Sequence, residues 1–595
     1  MSTYTAPLKD MRFVLTELAG LDAVGRLPGY EEATADTVDA ILEEAAKFAA
    51  GVLDPINRTG DREGSTWKDG SVTTPKGFRE AYRQYVEGGW GALPCDPARG
   101  GQGLPKLVAT AVEEMFTAAN MSFALCPLLT QGAIHALELA GSDGLKDVYL
   151  GKMIEGTWTG TMNLTEPQAG SDLALVRTKA VRDGGRYRIT GQKIFITYGD
   201  HDMAENIVHL VLARTPDGPP GVKGISLFIV PKFLVNPDGT LGDRNAVRCV
   251  SIEHKLGIHG SPTAVLAFED AEGYLVGEEN KGLAYMFVMM NEARFSVGLE
   301  GLAVAERAFQ RAVAYANERV QGRDPVAGGK AVPIIRHPDV RRMLLLMKSQ
   351  TEAMRALAYA VAAEMDLAQR APDEAERRRH QAFVELMIPV MKGWCTETGI
   401  EVASLGVQVH GGMGFIEETG AAQYLRDARI TSIFEGTTGI QSIDLVGRKI
   451  ARDGGAAARA LLAEWQRLDA ELERSVHPDC KAVRRQFSAG VRAVAECVVF
   501  LVAGQDPTAS LAGAVPFLKL MGIVAGGWQL ARAAIAAERN LAAGESGDRA
   551  FLEAKIATAR FYADHVLVQA PSLHDTVVDG AAGVMALSGE QFLAA

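Results

Sequence analysis

The chain of 595 residues is 47% hydrophobic and 23% charged, with a formal net charge of -12. This is the balance of a large globular protein with several substructures, and disorder is not indicated. The acidic excess argues against a dedicated nucleic-acid binder, which needs a basic face to neutralise phosphates, but leaves room for a locally basic pocket. Cys95, Cys126, Cys249, Cys395, Cys480 and Cys497 are scattered without a C-x-x-C pair, so reduced thiols are expected and neither a zinc site nor a disulfide framework is signalled. The start "MSTYTAPLKDMRFVL" has no basic region followed by an apolar core, and no uninterrupted apolar run approaches about 20 residues. No membrane span is expected, and the location expected is cytoplasmic.

An N-terminal extension over 1–35 precedes a helical domain over 36–158. There apolar residues recur at helical spacing, as in "VDAILEEAAKFAAGVLDPI", with breaks expected at "GWGALPCDPARGGQGLP" and around Cys126 and Pro127. Over 159–277 the short runs "GGRYRITGQKIFITYG", "NIVHLVLART", "GISLFIVPKF" and "TAVLAFEDA" predict a small β-domain. Helical periodicity then returns over 278–450, where Leu302, Ala305, Phe309, Ala312, Val313 and Ala316 share one stripe and three long helices make most of a bundle. The alanine-rich 451–595 reads as an appended helical domain, in which "AGAVPFLKLMGIVAGGW" predicts a buried helix starting near Pro516.

The common phosphate cradles are absent, and "HGGMGF" at 410–415 follows a helix and reads equally as a chain reversal. His254 and His259, five apart, suit no metal pair, and no G-x-S-x-G nucleophile elbow occurs. In "TSIFEGTTGIQ" (431–441) Glu435 stands alone among apolar and small residues, a carboxylate that by itself reads as an ordinary helix end reaching solvent.

Five stretches in order carry more: "LTEPQAGSD" (164–172), "GQKIFITYG" (191–199), "ARFSVGLEGLAVAERAFQRAVAYANERVQGR" (293–323), "QVHGGMGF" (408–415) and "LRDARITSIFEGTTGIQ" (425–441). Together they resemble the FAD-dependent acyl-CoA dehydrogenase family over about residues 35 to 450. The resemblance implies that family's fold: an N-terminal helical domain, a small β-barrel-like domain and a four-helix bundle, here with a C-terminal helical extension.

By that resemblance Glu435 matches the catalytic base, which removes the α-proton of an acyl-CoA thioester while the β-hydrogen leaves to the flavin. Burial beside Phe434 is expected to raise its pKa, and small Gly436 to let the backbone approach the thioester. Leu164, Thr165, Gly170 and Ser171 match flavin and pyrophosphate contacts, though a plain turn after a strand would read the same way. Phe195 and Thr197 match an aromatic beside the isoalloxazine and a hydroxyl near N5; strand alternation alone puts both on one face. Arg319, Gln408, Gly411, Gly412 and Thr437 match the pyrophosphate and adenosine end, with Arg319 reaching from another subunit, and Arg323 is expected to add a compensating phosphate contact next to Gly322. Ser171, Arg294, Phe434 and Gly436 are the expected substrate contacts.

Three departures stand out. Ala293 occupies the position where some members carry the base, which leaves Glu435 as the matching one; Met162 replaces a common aromatic; and Gly322 stands where a phenylalanine often stacks on adenine. The resemblance also implies an acyl-CoA substrate, electron-transferring flavoprotein as acceptor, and a homodimer or dimer of dimers. The N-terminal extension and the residues after about 450 resemble a long bacterial branch. Its expected reactions are oxidation of 3-methylmercaptopropionyl-CoA to methylthioacryloyl-CoA or of fatty acyl-CoAs of broad chain length. An acyl-CoA oxidase and a non-catalytic DNA-binding flavoprotein of the same fold are the rival readings.

Overall fold

The computed structural model describes residues 4–326, 328–504, 506–544 and 548–593. In the N-terminal half, α1 (Ala35–Phe48), α2 (Lys106–Ala119) and α3 (Met121–Ala140) build the first helical domain. The break expected near Cys126 and Pro127 does not occur: Pro127 lies inside α3. Its cost is confined to one missing backbone bond near the helix start, and the flanking Cys126, Leu128 and Leu129 are all buried, so packing overrides the local preference. A short hairpin, Thr66–Lys68 with Ser71–Thr73, joins this domain. Asp69 and Gly70 both turn at positive φ there, a two-residue turn signal that the helical reading passed over.

The β-domain contains β1 (Trp158–Asn163), β2 (Lys179–Asp183), β3 (Arg186–Thr197), β4 (Asn206–Arg214), β5 (Ile225–Pro231), β6 (Val247–Ile252) and β7 (Thr263–Val276). β7 pairs with β3 and β5, β5 with β4, and β3 with β2. A single parallel pair, Lys179 with Arg214, closes the ring between β2 and β4. The result is a five-strand barrel with its own apolar filling, which includes Ile189, Val211, Phe228, Leu266 and Phe268.

The bundle is formed by α4 (Gly282–Glu318), α5 (Pro338–Arg370), α6 (Glu374–His410) and the shorter α7 (Ala421–Ala428) and α8 (Thr438–Ile443). Between α4 and α5 the chain forms a hairpin of Val320–Asp324 with Gly328–Pro333, so Arg319 caps α4 and Arg323 lies on a strand. The C-terminal region adds α9 (Ala456–Arg474), α10 (Pro478–Ala503), α11 (Ala514–Ala543) and α12 (Arg549–His565). α11 lies on α6 at close range, since a Cβ on Gly522 would fall 2.1 Å from Cγ of Trp394.

Although the sequence has no long uninterrupted apolar run, α3, α10 and α11 reach the length and mean hydropathy needed to cross a membrane. Their most apolar windows are 67%, 44% and 89% buried inside the protein, so α3 and α11 direct most of that apolar surface inward.

Candidate active site

Glu435 sits in the turn between α7 and α8 with φ of 55°, followed by Gly436 at 92°. Two successive left-handed residues are held by their neighbours: Gln441 Nε2 donates to the Glu435 carbonyl at 3.0 Å, and Lys392 Nζ donates to the Gly436 carbonyl at 2.7 Å. Glycine is required at 436, because its φ strains any other residue and a Cβ would meet Gln441 Nε2 at 2.7 Å. Thr437 caps α8 by accepting from Ile440 N at 3.3 Å and is exposed.

Burial pushes the Glu435 carboxyl up to about 7, against the opposing pull of Lys392 and Arg294. Arg294 projects from α4, is buried, and pairs with Asp444 at 3.2 Å, while its Nε has no partner among the described residues. Phe434 is half-buried beside the base. Glu435, Phe434, Gly436 and Arg294 are therefore brought together, with Lys392 and Gln441 beside them.

A second group is stitched around the loop after β1. Lys193, wholly buried on β3, donates to the Leu164 carbonyl at 2.9 Å and to Glu166 at 2.8 Å. Glu166 also accepts from the backbone N–H groups of Arg177 and Thr178 and from the Thr178 hydroxyl. Ile194 N donates to the Thr165 carbonyl at 2.9 Å, which seats the loop next to Phe195. β3 bulges there: Ile196 pairs with Ala264 but Lys193 with Leu266, and Phe195 adopts φ of 60°. Phe195 lies in this bulge and is exposed, while Ile196 after it is buried and Thr197 is half-buried. Phe195 is 59% exposed. A Cβ on nearby Gly170 would meet nothing within 4 Å, and Ser171 is exposed. An unpacked aromatic held outward by strained backbone beside bare main chain fits a flat flavin ring.

The third group lies elsewhere. Tyr315 stacks on His410 with centroids 4.4 Å apart, which joins the C-terminal ends of α4 and α6 and collects exposed Arg319, Arg323, Gln408, Gly411 and Gly412. Arg319 is 25 residues beyond Arg294 on α4, about 37 Å at the helical rise. The structure does not bring this group to the base within one chain.

Lys392, Gln441, Glu166 and Lys193 were not singled out from the sequence. The signal available for the lysines was a lone cation in an apolar stretch, "MIPVMKGWC" and "QKIFI", which reads equally as a snorkelling surface residue.

A cavity of about 60 Å³ lies between α2, α3 and α4, lined by Trp90, Val112, Glu113, Phe116, Leu128 and Ser296 among others. Ser296 stands between Glu292 and Glu300 on one stripe of α4 at four-residue spacing. A larger cleft of about 410 Å³ shares Pro94, Lys106 and Gln131 with it and reaches Glu292 and Asp444.

Residues 35–157, 161–271 and 280–450 match the N-terminal, middle and C-terminal domains of acyl-CoA dehydrogenases, and 459–588 match a domain described as "Acetyl-CoA dehydrogenase C-terminal like". The chain is 52% identical to the 3-methylmercaptopropionyl-CoA dehydrogenase of Ruegeria pomeroyi, covering 97% of this chain and 98% of the relative. It is 35% identical to the broad-specificity linear acyl-CoA dehydrogenase of Mycobacterium tuberculosis, again covering 97% and 98%. Among solved structures, an acyl-CoA dehydrogenase complexed with FAD from Bacillus anthracis superposes with a TM-score of 0.73 at 21% identity, covering 96% of this chain and 92% of that one.

Proposed function

The chain belongs to the acyl-CoA dehydrogenase family, and from that premise we propose that Glu435 is the base of its reaction and that the acyl group is short. The reaction itself is the FAD-dependent α,β-dehydrogenation of an acyl-CoA. Flavin, when bound, supplies the acceptor for the β-hydrogen and its electron pair.

The observation that carries the reading is the Glu435 carboxyl, which burial brings to about 7. An ordinary carboxylate is too weak to deprotonate the carbon beside a thioester. One raised by burial is better matched, and a hydrogen-bonded thioester carbonyl acidifies the carbon further. We assign that contact to the Glu435 N–H, which positive φ turns away from the helical direction. Phe434, half-buried beside the base, is assigned to excluding water. Thr165, Ser171, Phe195 and Thr197 are assigned to the flavin; Arg319, Arg323, Gln408, Gly411 and Gly412 to its adenosine and phosphate end.

The relative that is 52% identical over nearly the whole of both chains acts, by its name, on 3-methylmercaptopropionyl-CoA, and this favours a short acyl group. The sulfur in that acyl group and a methylene differ too little for an apolar wall to separate strongly, by about 1–3 kcal/mol, so butyryl-CoA and pentanoyl-CoA are expected as slower substrates.

Arg319 stands about 37 Å along α4 from Arg294, and Met413, Phe415 and Ile416 are exposed beside Gly411 and Gly412. These features favour a flavin site shared between two copies of the chain, and we assign electron-transferring flavoprotein as the acceptor.

Anaerobic bleaching of the bound flavin by 3-methylmercaptopropionyl-CoA, butyryl-CoA and palmitoyl-CoA tests the assignment. Fast bleaching by 3-methylmercaptopropionyl-CoA and slower bleaching by butyryl-CoA, both lost by a factor of about 10⁴ or more in Glu435→Gln with FAD retained, are expected for removal of a group that acts only in the chemical step. Fast bleaching by palmitoyl-CoA would overturn the short-chain assignment, and bleaching by Glu435→Gln at the wild-type rate would overturn the base. Peroxide released in air at the bleaching rate would instead mark an oxidase.

A further inference from the structure

Two titratable groups beside the base remain without a role in that mechanism. Lys392, in the middle of α6, is wholly buried, and no salt bridge pairs it among the described residues. Its one hydrogen-bond acceptor is the Gly436 carbonyl at 2.7 Å. Glu300, on α4, is 1% exposed, and neither carboxyl oxygen has a partner among the described residues. An unpaired buried charge is costly, and packing gives no reason for a lysine here, since a leucine or methionine would fill the space.

We propose that Lys392 is a positioning residue for the base: its ammonium fixes the Gly436 carbonyl, and with it the left-handed Glu435–Gly436 turn, and supplies the positive charge that keeps Glu435 available as a base at neutral pH. The proposal rests on Glu435 being the base.

Geometry supports both parts. A left-handed non-glycine residue followed by a left-handed glycine persists only where its surroundings over-determine it. Here two side chains, Lys392 and Gln441, grip the consecutive carbonyls. Only one of the two is charged, so the clamps are separable by experiment.

The groups acting on these side chains are few. Glu435, Glu300 and Glu397 favour the Lys392 ammonium, and Arg294 opposes it. Lys392 and Arg294 act on Glu435. Glu113, Lys392 and Glu435 act on Glu300. Arg294 is balanced by Asp444 and Glu435 and opposed by Arg448. Burial raises the Glu300 carboxyl well above its ordinary value, which favours its neutral form. Burial also brings Lys392 down to about 8, so at neutral pH it is mostly charged.

The test uses purified holoenzyme and the pH dependence of anaerobic flavin bleaching by 3-methylmercaptopropionyl-CoA. Lys392→Gln keeps a donor for the Gly436 carbonyl but removes the charge, and its profile is expected to move upward by about one pH unit. Lys392→Met, which removes both, is expected to show the same shift and a further loss of about tenfold or more in the limiting rate, as misplacement of a catalytic group gives. Lys392→Arg is expected to restore the wild-type profile. Gln441→Leu, which removes the uncharged clamp, is expected to lower the rate without moving the profile. If Lys392→Met does not retain FAD, Lys392→Gln and Lys392→Arg carry the test. A Lys392→Gln profile superimposable on wild type would overturn the proposal even where Glu435→Gln is inactive. Wild-type bleaching by Glu435→Gln would instead overturn the assignment of the base on which the proposal rests.

Discussion

Glu435 combines three properties that rarely coincide in one residue: a left-handed backbone, a carboxyl brought to about 7, and a lysine bonded to the next carbonyl. Such strain costs on the order of 1–3 kcal/mol and is kept where function needs the geometry. A base works when deprotonated, so a pKa of about 7 has a definite sign in the rate. The bleaching rate is expected to fall about tenfold per pH unit below about 7 and to level off above it. Stopped-flow measurement across the neutral range, with FAD content checked at each pH, decides this; a rate flat through pH 7 and below contradicts it. At this scale Glu435 was legible only because its surrounding motif belongs to a recognisable set. Lys392 was not, because burial of a lysine inside a helix depends on α8 folding across it, and nothing in "PVMKGW" encodes that crossing.

Among the secondary elements, the loop after β1 and the bulge of β3 behave as one piece. The buried Glu166–Lys193 pair fixes the loop, and the loop's Thr165 carbonyl accepts from Ile194 where β3 bulges. Burial works against Glu166, yet Lys193 and the Thr178 hydrogen bonds hold its carboxyl at about 2. Lys193→Met would leave that carboxylate buried without a counter-charge, a change expected to cost about 3–5 kcal/mol. Thermal unfolding should record a lower Tm, and the flavin-to-protein ratio after gel filtration should fall. An unchanged ratio would separate the pair from cofactor binding. Strand alternation predicted a common side for Phe195 and Thr197, but a bulge is set by pairing with β7, more than 60 residues away, and short-range pattern does not report it.

For the whole molecule, the order of helical domain, β-domain and bundle was readable from changes in period, and the C-terminal helices from their alanine-rich composition. How those helices dock was not readable, because docking depends on small residues such as Gly522 meeting Trp394 and on a buried charge network. In that network Arg355 of α5 bonds Asp10 at 2.6 Å, Glu114 of α2 at 2.6 Å and Glu306 of α4 at 2.7 Å. Lys555 of α12 bonds Asp10 as well, and Glu352 at 2.9 Å. Lys555→Met is expected to destabilise the docked C-terminal helices by about 3–5 kcal/mol, since it leaves carboxylates buried with one cation fewer. Hydrogen exchange over 549–565 should accelerate while the barrel strands keep their protection; unchanged exchange there would show that Lys555 does not anchor the domain.

The Asp10–Lys555 contact spans 545 positions of sequence. At about 5–20 residues per second, the ribosome needs roughly half a minute to two minutes to make the intervening chain. For all that time Asp10 has its arginine partner at most, and its lysine has not yet been synthesised. Until α12 emerges, the part of the bundle that Lys555 covers stays bare, and its buried carboxylates lack one of their two cations.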